Sequence, residues 1–180
     1  MRRAVLILTV LLLQIVAITA QPLQQPIQQD DNVHIEFSKS AKMTYIDTTS
    51  LPAVNVKGAD GVYLSVQCAF KGKDPRKIEA MGLSFRVISS NGHGISSIHP
   101  TFIIMLNGDK MIGPLMSDYG HAEFTDRGLE QTVSQLMNKD YLGFMASADK
   151  IEMQIDKIRF TLSPEHQRAI AKVYNTLNGK

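Results

Sequence analysis

The strongest constraint on the fold is the run from Gly61 to Phe70. In it Val62, Leu64, Val66, Cys68 and Phe70 alternate with Tyr63, Ser65, Gln67 and Ala69. Successive side chains of an extended strand point to opposite faces, so this period of two builds one apolar face that another layer must cover. Shorter alternating runs surround it: Val33–Phe37, Lys42–Ile46, and Leu83, Phe85 and Val87 with Ser84 and Arg86 between them. Asn91-Gly92-His93-Gly94 is a turn cluster. Thr101–Leu106 and Lys110–Leu115 flank Asn107-Gly108, the dipeptide most favoured in a two-residue hairpin turn. Gly113-Pro114 makes the second arm an edge strand or ends it early.

The last third mixes helix and hairpin. Asp126 is placed to cap a helix reaching Asn138, because Leu129, Val133, Leu136 and Met137 fall on one helical face. Tyr141–Ala148 reads as a second, short helix. Lys150–Ile155 then puts Ile151, Met153 and Ile155 on one side, and Asp156-Lys157 turns. Ile158, Phe160 and Leu162 return. Ser163 is an N-cap, Pro164 suits the first helical position, and Glu165 complements the positive helix end. That helix carries Ile170, Val173, Tyr174 and Leu177, and Gly179 can end it. No strand-helix alternation suggests a parallel sheet. The expected class is α+β: an antiparallel β-sheet or small β-sandwich with two or three helices, ending in a β-hairpin plus C-terminal helix.

The closing stretch IEMQIDKIRFTLSPEHQRAI, Ile151 to Ile170, resembles the C-terminal piece of small exported bacterial proteins of uncharacterised function. The likeness rests on the alternating hairpin, the Phe160-x-Leu162-Ser163 step and the helix that follows. It implies bacterial export and no activity.

The first 20 residues read as a secretory signal. Arg2 and Arg3 are the positive start, Ala4 to Ile18 is apolar apart from Thr9 and Gln14, and Thr19-Ala20 is the small-residue exit. The run is shorter than the roughly 20 apolar residues of a spanning helix. Cleavage is expected after Ala20, with retention as an anchor the alternative. Residues 21–32, QPLQQPIQQDDN, form a Gln/Pro-rich tether, and 33–180 a single globular domain. Two of the 19 basic residues and none of the 17 acidic ones lie in the signal, so the remainder is balanced at 17 of each. A nucleic-acid binder would show a basic excess on one face; Lys71, Lys73, Arg76 and Lys77 are interrupted by Asp74 and Glu79 and read as a solvated loop. A lone cysteine, Cys68, excludes an intramolecular disulfide, and its place in the alternating run makes it a buried apolar residue. The scattered methionines read as core filling.

No motif for nucleophilic catalysis, phosphate binding or calcium is present. His93, His99 and His121 fall in or near expected loops without the spacing of a metal site. His121-Ala122-Glu123 is the closest pairing, and on a strand it would put both side chains on one face. His34 and His166 read as surface positions. The expectation is an exported (periplasmic or secreted), non-catalytic domain without cofactor. It would bind a protein or envelope component, with edge strands such as Lys110–Leu115 available to a partner. The alternative is a small metal- or ligand-binding protein or enzyme that uses the 91–123 loops, with His93, His99, His121 and Glu123 as candidate ligands.

Overall fold

The computed structural model describes residues 29–30, 32–75, 77–90, 94–95, 100–112 and 117–179. Among them are thirteen strands and two helices. The strands are β1 (Gln29–Asp30), β2 (Val33–Ser38), β3 (Met43–Thr48), β4 (Leu51–Pro52), β5 (Val54–Lys57), β6 (Gly61–Lys71) and β7 (Ile78–Ser89). They continue as β8 (Phe102–Leu106), β9 (Asp109–Ile112), β10 (Ser117–Thr125), β11 (Gly128–Leu136), β12 (Ile151–Ile155) and β13 (Ile158–Thr161). The helices are α1 (Lys139–Ser147) and α2 (Pro164–Leu177). The architecture is α+β, and every described strand pairing is antiparallel.

The strands form two sheets. The eight-stranded sheet runs β1-β2-β3-β6-β7-β11-β10, with β4 also on β6; the five-stranded sheet runs β5-β13-β12-β8-β9. The period-two run forms the centre of the larger sheet. Val62 pairs with Val87, Leu64 with Phe85 and Val66 with Leu83, so the apolar faces of β6 and β7 coincide. Phe85 meets Phe102 of the smaller sheet at 5.1 Å between ring centroids and Phe160 at 6.0 Å, which joins the two inner faces. One cluster of buried side chains then runs from Val33 to Leu177.

Local chemistry sets the turns. Asn107 and Gly108 both have positive φ, +53° and +94°, as a type I′ hairpin requires between β8 and β9. The Asn107 Oδ1 also accepts from the backbone N–H of Asp149 and Lys150, which fixes the start of β12. Asp156 takes φ +52°, a conformation that aspartate tolerates better than most residues. Its Oδ1 accepts from Thr101 N–H at 2.9 Å, locking the β12–β13 turn to β8. Asn138 caps α1 through Tyr141 N–H, and α1 packs on α2, where Gly143 admits the Tyr174 ring.

Two expectations are overturned. Residues 126–138 do not form a helix: 128–136 is strand β11, between β7 and β10. Its inward positions are Leu129, Gln131, Val133 and Gln135, opposite Ser89, Val87, Phe85 and Leu83. Two glutamines at buried positions mask the period of two, and the remaining apolar residues happen to fit a helix. Gln131 is buried because it serves the chain crossing above it: its Oε1 accepts from Ile95 N–H at 2.7 Å and its Nε2 donates to Ile95 C=O at 2.9 Å. Asp126 occupies a hairpin turn instead of a helix cap. His166 is also not a surface residue. It is buried in the capping box of α2, with Nδ1 accepting from Ser163 N–H at 3.1 Å and Nε2 3.0 Å from Leu51 C=O. An Nδ1 that accepts leaves the proton on Nε2, which donates to Leu51.

Candidate functional site

A strand at the end of a sheet has one row of backbone N–H and C=O groups without a ladder partner, and such a row can template another strand. Among the described residues the larger sheet ends at β1 and β10 and the smaller one at β5 and β9. The arm expected over Lys110–Leu115 lies partly here: β9 covers Asp109–Ile112, and 113–116 lie outside the described residues.

β10 is the longer edge, with nine residues. From Gly120 to Phe124 every residue is exposed, and Phe124 stands 83% exposed on the face that it shares with Leu129 of β11. A register shift between Tyr119 and His121 adds one residue to β10, a bulge that bends and twists the edge.

The inner side of this edge is firmly held. Asp126-Arg127 is the turn, and Gly128 follows with φ +111°, where an added Cβ would come 2.7 Å from the Ser89 carbonyl oxygen. Only glycine fits both that backbone conformation and that approach. Arg127 meets the buried Glu130 carboxylate at 2.6 Å, and Thr125 Oγ1 donates to the same oxygen at 2.9 Å. Burial pushes the Glu130 carboxyl up, but these hydrogen bonds and the charges of Arg127 and Arg86 outweigh it and hold it below the usual range. Arg86 in turn lies over the Tyr63 ring at 4.7 Å.

Of the residues singled out in the sequence, His93 and His99 lie outside the described residues. His121 and Glu123 share the outward face of β10, with Nε2 and Oε2 3.4 Å apart and side chains 67% and 57% exposed. Among the described residues no group of three or more His, Cys, Asp or Glu is placed to hold a metal ion. Cys68 is buried on the inner face, and loss of solvent pushes its thiol up to about 11, so it is a poor nucleophile at neutral pH. His34 is exposed, 3.4 Å from the Thr49 hydroxyl.

Phe124 was not singled out by sequence. The signal for it is the four-residue alternation His121-Ala122-Glu123-Phe124, which points an aromatic away from a charged pair. Among the described residues no helix is long and apolar enough to cross a membrane. Set against family models, curated proteins and solved structures, the chain matches none of them.

Proposed function

We propose that this is an exported domain without catalysis of its own, which binds a protein or envelope component by accepting a strand on an open sheet edge. The carrying observation is β10: nine residues at the end of its sheet, an exposed Phe124, and an inner side held by Glu130 and Gly128. An edge already paired on its inner side loses less conformational entropy than a free segment when a partner strand docks, and the exposed ring gives that strand an apolar contact. β9 offers a second, shorter edge.

Arg2, Arg3 and the apolar stretch to Ile18 support export, to the periplasm or out of the cell. Residues 33–180 act as one domain. Its two sheets, joined through Phe85, Phe102 and Phe160, make a small β-sandwich that the C-terminal hairpin and α2 close.

The test is light crosslinking of the full chain, tagged at its C-terminus, in its native host. A reproducible partner is expected from the envelope or medium. It should vanish with the unfolding variant Phe160→Asp and fall with the surface variant Phe124→Asp. Monomeric recovery without a partner would refute the reading. The intact mass of the recovered protein, beginning at Gln21 or at Met1, tests export with cleavage separately.

A further inference from the structure

The outer face of the smaller sheet carries a cleft of about 480 Å³ whose lining includes Asn55, Lys57, Lys150, Glu152, Arg159 and Thr161. Lys57 on β5 and Arg159 on β13 are direct cross-strand partners. Side chains so placed have Cβ atoms about 5 Å apart, and like charges directly opposite each other destabilise a sheet. Among the described residues no carboxylate is paired with either cation. Glu152 is the one carboxylate among these lining residues, and Lys150 Nζ engages it at 3.0 Å. Arg159 Nε donates to Gln154 Oε1 at 2.9 Å, a neutral partner that orients the guanidinium and leaves its charge unpaired. Among the described residues neither Lys57 nor Arg159 forms an ion pair.

The backbone beneath the pair is also irregular. The register shifts between Arg159 and Thr161, and Asn55 takes φ +53°. Bulges of this kind re-aim side chains and recur next to binding sites. The rest of the chain is balanced in charge, so two opposed cations in one cleft are a local arrangement and not the overflow of a basic protein.

We propose that this cleft binds a phosphate-type oxyanion group between Lys57 and Arg159. The guanidinium fork matches two oxygens of such a group, the ammonium supplies a point charge, and Thr161 and Asn55 offer further polar contacts. An anion held between them offsets the repulsion of the Lys57–Arg159 pair. The proposal is distinct from strand addition at β10 or β9: the cleft lies on the face of the smaller sheet, with β5 at its margin, and uses side chains instead of edge backbone. Two sources present the same chemistry: a free phosphate compound and a phospholipid headgroup.

The test uses the full chain, titrated with inorganic phosphate and pyrophosphate, and separately with phosphatidylglycerol or phosphatidylcholine vesicles. Saturable binding to a free phosphate assigns the soluble source. Binding to phosphatidylglycerol vesicles alone, and not to phosphatidylcholine, assigns the headgroup. Either result supports the site if Lys57→Met and Arg159→Met each weaken binding about tenfold and Glu152→Gln strengthens it. Lys57→Met should also unfold at no lower temperature than the parent, because it relieves the like-charge pair; a residue with only a structural role would lower that temperature. Absence of saturable binding to all four probes, or binding that survives both Met variants, overturns the proposal.

Discussion

The β10–β11 and β12–β13 hairpins turn on nearly the same chemistry, Asp126-Arg127 and Asp156-Lys157, yet they meet opposite fates. In the second, Ile151, Met153 and Ile155 are fully buried, with Ile158 and Phe160 at 2% exposure, under a sheet on one side and a helix after it. In the first, one strand pairs with β7 and the other ends the sheet, with Phe124 83% exposed. Turn residues therefore decide only that the chain reverses. What becomes core and what stays open depends on where each strand lies in its sheet: β12 and β13 are interior with an unbroken apolar inner set, β11 is interior and buries even Gln131 and Gln135, and β10 comes last.

The sharpest break in this comparison is to empty one side of it. Phe160→Ala should cost about 3–5 kcal/mol through lost burial and a cavity, read as the loss of unfolding free energy in denaturant. A cost under 1 kcal/mol would mean that the hairpin is not the closed region described here. Next, Gln131→Leu keeps the bulk on β11 and strands the N–H and C=O of Ile95. A loss of about 1–3 kcal/mol is expected; a neutral leucine would show that this glutamine is no clamp.

The cap of α2 sharpens the closed side further. Ser163→Ala should cost about 1 kcal/mol. Burial, the dominant influence, lowers the His166 pKa from its ordinary 6.5 and outweighs the opposing effects of Leu51 C=O and Glu165. The folded state therefore prefers neutral His166, and the unfolded state takes up a proton first on acidification. The stabilisation from this residue is complete above about pH 6.5 and declines as pH falls from there through the lower folded value. Unfolding free energy measured from pH 8 to pH 5 should fall more steeply for the parent than for His166→Gln; parallel curves would remove this account. Smallest of all, Phe124→Ala should change stability by no more than about 0.5 kcal/mol. A cost comparable to that of Phe160→Ala would erase the contrast between the two hairpins.

The legible parts of the fold share one property: each signal was complete within a few consecutive residues. The alternation in β6, Asn107-Gly108 with its two positive φ values, and the Ser163-Pro164 cap all needed no knowledge of distant contacts. β11 failed that condition, because the reason for burying Gln131 is a backbone segment 36 residues earlier. His166 failed it as well, since its partner Leu51 lies 115 residues away. At the open edge, His121 and Glu123 could be placed on one face by period alone, while the exposure of Phe124 required knowing that β10 comes last in its sheet.

The sequence alone determined the local elements: where apolar faces alternate, where the chain turns, and how α2 is capped. Tertiary structure decided which strands became edges, which polar side chains were buried to serve distant backbone, and that Lys57 would face Arg159. The reason is physical. Period and capping are set by covalent geometry over a few residues, whereas burial, edge position and cross-strand opposition depend on which elements meet after the chain has closed.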